Sequence, residues 1–194
     1  MNTLVLANHK GGVGKSAVAT LLAHYLASRG LRVLAIDLDH QGNLSRPLER
    51  STRATLATVT ADLLMTTLVS AVPDARLVLV PSSRSLIGLE RQPALHTPFA
   101  RNLRGFLCAA SDRFDVCVID TNPNPGHPAD CCIDLSRPCA VTDPNFGSGG
   151  RSPVATVWVE GSERIVSRAA VAHFVARIAA EGRPTPTCES LRHV

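Results

Sequence analysis

Apolar residues in this chain fall into short unbroken runs separated by stretches with a helical period. Thr3–Ala7 (Thr-Leu-Val-Leu-Ala), Leu31–Asp37 (Leu-Arg-Val-Leu-Ala-Ile-Asp), Arg76–Pro81 and Asp115–Asp120 (Asp-Val-Cys-Val-Ile-Asp) are runs of this kind. Strands buried on both faces of a parallel sheet lack alternation, so these four predict buried parallel strands. Ser16–Arg29 places Val18, Leu21, Leu22, Tyr25 and Leu26 at helical spacing and is stopped by Gly30. Helices are also expected over Thr58–Thr67, Ser85–Gln92 and Pro98–Ser111. Strands alternating with helices predict βαβ units, hence an α/β fold with a doubly wound, mostly parallel sheet. No repeat at solenoid spacing interrupts the pattern.

Beyond Gly126 the alternation fails, and residues 130–153 mix Cys, Pro, Gly and Asp without a sustained period. The chain therefore divides into a core over residues 1–126 and a tail over 127–194, with the fold incomplete or altered in its C-terminal third. One amphipathic helix is predicted in the tail, residues 162–180, with Val166, Ala170, Val171, Phe174, Val175 and Ile178 on one face. Its Arg164, Arg168 and Arg177 read as a solvated face rather than as phosphate contacts.

The 194 residues suffice for a real core, and 45% hydrophobic content excludes intrinsic disorder. No apolar run reaches the roughly 18–20 residues of a membrane span. Met1-Asn2-Thr3-Leu4 offers no basic region ahead of an apolar stretch, so no secretory signal is read and a cytoplasmic location is expected. A net charge of +4 permits an anionic partner without arguing for one. The six cysteines are expected as thiols rather than as a disulfide framework. Scarce aromatics (Tyr25, Trp158 and five Phe) argue against stacking on single strands.

The candidate chemistry lies between the first strand and the first helix, at Lys10-Gly11-Gly12-Val13-Gly14-Lys15-Ser16. Glycines at 11, 12 and 14 let the backbone curl so that successive N–H groups form an anion nest, and the following helix adds its positive end. Lys15 is placed to reach β- and γ-phosphates, and the Ser16 hydroxyl to ligate Mg²⁺. The bland alternative is a tight glycine turn with an incidental lysine; Gly-Lys-Ser in frame between strand and helix argues against it. Position 9 is His9, where the general P-loop pattern has Gly, and Lys10 follows.

Lys10 to Ser16 resembles the deviant Walker A motif of the ParA/MinD ATPase family, a P-loop NTPase-like group. Ile36-Asp37-Leu38-Asp39-His40-Gln41-Gly42-Asn43 is similar to the I-D-x-D-P-Q-G-N segment of its ParA branch, with His40 where Pro is usual. Leu79-Val80-Pro81-Ser82-Ser83 and Phe114–Pro123 resemble the third-strand exit and the second-carboxylate segment. The resemblance covers residues 1–126 and is to the short form, without an N-terminal helix-turn-helix region.

It implies an ATP hydrolase using Mg²⁺. Residues Lys10, Gly11, Gly12, Val13, Gly14, Lys15, Ser16 and Ala17 would bind the nucleotide, Ala17 standing where a Thr is common. Lys10 matches the signature lysine that crosses to the partner's phosphates in an ATP-dependent homodimer. Asp39 matches the carboxylate that orients the attacking water, and Asp120 the one that holds a Mg²⁺-bound water. Taken singly, either carboxylate reads as a cap or a solvated group. Asp37 is expected to support the loop rather than to perform chemistry.

Past the second-carboxylate segment the family continues with an A-A-L-x-x-A-D-x-V-L-x-P-I run, whereas this chain has Gly126-His127-Pro128-Ala129-Asp130-Cys131-Cys132-Ile133-Asp134. A single-base frameshift near the codon for Gly126 would account for the change, since the shifted frame, with permitted synonymous codons, can give a run similar to the family's. Strands that complete the sheet would then be missing and apolar surface left uncovered. The competing reading is a metal site at His127, Cys131, Cys132 and Cys139; structural zinc sites favour C-x₂₋₄-C pairs, and a second such pair is lacking.

The function implied is a ParA-like ATPase in plasmid or chromosome partition. It would bind DNA non-specifically, sit on the nucleoid and not on a membrane, and hydrolyse ATP under stimulation by a ParB-like centromere-binding adaptor. The alternative is a non-hydrolysing nucleotide- or partner-binding remnant with a defective C-terminal region.

Overall fold

The computed structural model describes residues 1–7, 12, 14–65, 73–122 and 154–158. Six strands form one sheet: β1 (Asn2–Ala7), β2 (Val33–Asp37), β3 (Thr55–Leu56), β4 (Leu77–Val80), β5 (Val116–Asp120) and β6 (Val154–Trp158). Their order is β3-β4-β2-β5-β1-β6, and every pairing is parallel. Among the described residues, four α-helices accompany them: α1 (Lys15–Ser28), α2 (Ser45–Glu49), α3 (Ile87–Arg91) and α4 (His96–Ala110).

At β1, β2, β4 and β5 both faces of the sheet are covered, which is why these strands are apolar. Leu34, Ile36, Val78, Val80, Cys117 and Ile119 turn to one face and pack with Phe99, Leu103 and Phe106 of α4. Val33, Ala35, Leu77, Leu79, Val116 and Val118 turn to the other and meet Ala19, Leu22, Ala23 and Leu26 of α1. The expected α/β, doubly wound parallel sheet is thus present. The buried stripe of α1 includes two alanines, which let the helix sit close to the sheet, whereas Leu21 and Tyr25 face outward at 71% and 46% exposure. The helical period is as read; the buried face is rotated from the one the large residues suggest.

Three differences from the expected elements have local causes. In the described part of the expected helix Thr58–Thr67, residues 58–65, a 3-10 turn over Ala61–Met65 stands in place of an α-helix. Thr58, Val59 and Thr60 are β-branched, and the Ala61 N–H goes to Pro81 across the sheet edge, leaving an i to i+3 bond from Leu63 to Thr60. β3 was not expected, because both its side chains are exposed and show no apolar pattern. β6 was not expected either; it pairs with β1 from Thr3↔Val154 to Ala7↔Trp158, so the tail supplies the sheet with a strand beyond β1. The helix predicted over residues 162–180 and the candidate metal ligands His127, Cys131, Cys132 and Cys139 lie outside the described residues.

The topology fixes where a ligand belongs. From β1 the chain crosses through α1 to β2, on one side of β1, while β6 adds on the other. The carboxyl end of β1 is therefore a switch point of the winding, where open α/β sheets place their ligands.

Candidate phosphate and magnesium site

Asp37 ends β2, Asp120 ends β5, and the two are register partners on adjacent strands. Leu6 of β1 is in turn the register partner of Asp120. Alternation puts Asp37 after Val33 and Ala35, and Asp120 after Val116 and Val118, on the face that α1 covers. Both carboxylates are fully buried.

The helix entering from the first loop brings its amino end to them. Gly12 and Gly14 have φ of +77° and +87°, left-handed values that a side chain would strain. Gly14 is the N-cap of α1, and its carbonyl accepts the first intrahelical bond, from Val18 at 2.9 Å. Lys15 and Ser16 thus open a 14-residue helix whose first N–H groups have no partner within it. Space around both glycines is open, so the need for glycine there is conformational rather than steric.

Lys15 is only 6% exposed. Burial lowers its ammonium pKa, and the charges of Asp120 and Asp39 oppose the fall, so the lysine stands within electrostatic reach of both carboxylates. Asp120 is pushed up from 3.8 to about 7, chiefly by burial; a nearby Ser16 hydroxyl opposes the shift, Asp37 and Asp39 add to it, and Lys15 opposes it. Ser16 is near without satisfying the group, for among the described residues neither Asp120 oxygen has a hydrogen-bond partner. A doubly orphaned buried carboxylate costs stability unless something else engages it. A hydrated divalent cation fits: it supplies positive charge and water donors, and the Ser16 hydroxyl beside it is a hard oxygen ligand. The residues present therefore suit Mg²⁺.

Asp37 has the opposite surroundings. Its Oδ1 accepts from the Asp39 N–H at 3.1 Å, and its Oδ2 from both the N–H and the hydroxyl of Ser45, each at 2.7 Å. Burial still raises its pKa to about 6 against these bonds. Asp37 is a structural anchor, as its sequence context suggested. Ser45 Oγ also accepts from the Ser82 N–H at 2.9 Å, and Ser82 Oγ donates to the Asp39 carbonyl at 2.6 Å. Asp39 itself accepts the Gln41 N–H on Oδ1 at 2.9 Å, so its side chain is aimed by an Asx turn. Gly42, at φ +66°, closes this turn by donating to the Asp39 carbonyl.

The structure thus brings together Gly12, Gly14, Lys15, Ser16, Ala17, Asp39 and Asp120 at the carboxyl edge of β1, β2 and β5. Ala17 is exposed in the first turn of α1. Lys10, Gly11 and Val13 lie outside the described residues. Sequence reasoning missed Ser45, Ser82, Glu90 and Asn122, which hold the loops around the site. Ser82 and Asn122 lay within quoted segments, but the Ser82 bond to Asp39 spans 43 positions and the Asn122 bond to Glu90 spans 32, and neither leaves a local signal. Among the described residues, no cluster of three or more His, Cys, Asp or Glu is arranged to hold a metal by itself, and no helix is long and apolar enough to cross a membrane.

A family model described as an AAA domain (AAA_31) matches residues 1–134, more than half of the chain. The chain belongs to this family, in its ParA/MinD group of partition-type ATPases. It is 40% identical over 143 residues to protein IncC of Escherichia coli, covering 65% of this chain and 36% of IncC. It is 32% identical over 125 residues to the chromosome-partitioning ATPase Soj of Treponema pallidum, covering 64% of this chain and 49% of Soj. The matched stretch therefore spans between about a third and a half of these relatives' length. Among solved structures, cobyrinic acid a,c-diamide synthase of Mycobacterium smegmatis, crystallised with an ATP analogue and magnesium, superposes with a TM-score of 0.61. That match covers 92% of this chain and 67% of the synthase at 22% identity, and shows the fold alone.

Proposed function

We propose that this chain binds Mg²⁺-ATP at the turn between β1 and α1 and hydrolyses it as a ParA-like partition ATPase. The observation that carries the reading is a buried Lys15 within electrostatic reach of Asp120, whose two oxygens have no hydrogen-bond partner among the described residues, at the switch point of the sheet. A triphosphate with its metal answers both groups at once. Amide donors of residues 11–16 and the Lys15 ammonium meet phosphate oxygens, while Ser16 and Asp120 face the metal and its water. Mg²⁺ would neutralise charge developing on the transferred phosphoryl group. Asp39, aimed by its own turn, orients the attacking water.

Lys10 is assigned to a partner subunit's phosphates. A lysine supplied in trans makes charge stabilisation depend on dimerisation, so hydrolysis times the lifetime of an ATP-bound dimer. Non-specific DNA binding on the nucleoid, in the cytoplasm, and stimulation by a ParB-like centromere-binding adaptor complete the proposal. The partition proteins to which the chain is similar support it.

Steady-state ATP hydrolysis with DNA and a cognate adaptor tests this reading. Turnover that collapses in Lys10→Ala, Lys15→Ala and Asp39→Ala, with Lys10→Ala still retaining ATP, supports it. ATP retention without turnover in the unaltered chain would replace it with the binding-module alternative.

A further inference from the structure

Glu90, on the short helix α3, lies far in sequence from every residue assigned to phosphate or metal, yet it touches the loops on both sides of them. Its Oε1 is 2.7 Å from His40 Nδ1 and also accepts the Asn122 side-chain N–H. His40 immediately follows Asp39, and Asn122 lies two residues past Asp120. The carboxylate is mostly buried, with its side chain 14% exposed. We propose that Glu90 is a positioning residue for ATP hydrolysis, one carboxylate oxygen clamping His40 and Asn122 so that the Asp39 loop is held against the strand exit carrying Asp120.

The proton arrangement supports a clamp. Gln41 Nε2 stands 2.6 Å from His40 Nε2, and an amide nitrogen can only donate, so His40 Nε2 accepts. The ring proton then sits on Nδ1 and is given to Glu90. Charge-assisted bonds to a carboxylate are among the stronger ones, and low exposure increases their directional effect. The neighbouring bonds brace the same body. Ser82 Oγ holds the Asp39 carbonyl, and Thr121 Oγ1 donates to the Leu6 carbonyl at 2.9 Å, tying the β5 exit to β1. Without Glu90, each loop keeps its own anchor and the Leu38 N–H still donates to the Asp120 carbonyl at 2.9 Å, so the two strand ends stay joined through backbone; what is lost is the side-chain tie between the His40 turn and Asn122 beyond them.

His40 gives the clamp a feature particular to this chain. Proline, usual at this position in the family the chain resembles, has no side-chain donor and could not make the bond. A loop otherwise stiffened by its own ring is here stiffened by a contact with α3. Misplacing a water-orienting carboxylate by about 1 Å can cost up to about 100-fold in rate, so a fastening at this point affects turnover more than binding.

The inference rests on the proposed ATPase reading, and two measurements keep their failures separate. Amide hydrogen exchange of the nucleotide-free chain, followed by mass spectrometry, reads residues 38–44 and 120–122 without any need for turnover. Glu90→Ala is expected to raise exchange in both segments by at least about 3-fold. His40→Ala is expected to raise it in 120–122 as well, although His40 does not touch them, and His40→Gln, which keeps an N–H donor, to restore most of the protection. In steady-state hydrolysis, Glu90→Ala should lower kcat about 10-fold or more with KM for ATP changed less than about 2-fold, and Glu90→Gln, whose amide oxygen can still accept both bonds, should recover part of the loss. Exchange confined to one segment in every variant, or a rise in KM at unchanged kcat, overturns the clamp. Absence of turnover in the unaltered chain overturns the ATPase reading, and the exchange data then decide the clamp alone.

Discussion

Asp37 and Asp120 stand in register on neighbouring parallel strands, both buried, and only one of them is satisfied. Among the described residues, Asp37 receives three side-chain hydrogen bonds and Asp120 none. The sheet places two acidic groups side by side with different tasks: one builds the loop, and the other is left for a ligand.

Substitution should separate the two tasks. Asp37→Asn would set its NH2 against either the Asp39 N–H or the Ser45 N–H, losing at least one of the three bonds, and is expected to cost about 1–3 kcal/mol. Asp120→Asn loses no hydrogen bond and removes a buried charge, so the ligand-free chain should be unchanged or slightly more stable. Denaturant midpoints check this pair, and the reverse ranking would mean that the assignments are exchanged.

Both carboxyl groups hold their protons in the folded chain at a pH where the unfolded chain has lost them, Asp37 up to about 6 and Asp120 up to about 7. Their contribution is fully present below pH 3.8 and is lost as pH rises through those two values. Over that window this component should make the ligand-free chain less stable with rising pH, flattening above about 7. Magnesium and nucleotide favour the ionised Asp120, so their binding should release protons near neutrality and tighten as pH rises. Thermal midpoints from pH 5 to 8, with and without Mg²⁺-ATP, read both slopes; parallel slopes would contradict the assignment of Asp120 to the metal.

The glycines give a sharper contrast. Gly14→Ala forces a side chain into φ +87° and should cost about 1–2 kcal/mol while weakening ATP retention. Gly88→Ala lies in α3 with open space at its Cβ position and should be neutral or stabilising by up to about 1 kcal/mol. Unfolding curves of the two variants are the check, and equal effects would remove the conformational argument for the turn.

What could be read from the sequence follows from where the information lies. β1, β2, β4 and β5 were legible because burial on both faces leaves unbroken apolar runs such as Val33–Asp37. The Gly12-to-Ser16 turn was legible because its chemistry is contiguous. β3 was not, since two exposed residues carry no pattern, and α2 was not, since it spans five residues and contains Pro47. The Thr58–Thr67 stretch misled because helical spacing outweighed its β-branched start. Val154–Trp158 is a short, mostly apolar run of the kind a strand uses, but it was read with a tail that lacks a sustained period. The support of the site, from Ser45 to Asp37 and from Glu90 to His40 and Asn122, crosses 8 to 50 positions, a range at which a single sequence shows nothing.

The central claim is that the turn before α1, with Lys15 and Asp120, receives a magnesium-complexed nucleotide. Calorimetric titration of ATP into the purified chain, with magnesium and again with EDTA, tests it most directly. The account predicts saturable binding that disappears with EDTA and in Lys15→Ala, whose fold is verified by circular dichroism. Heat signals that are absent with magnesium, or that persist unchanged in Lys15→Ala, would contradict it.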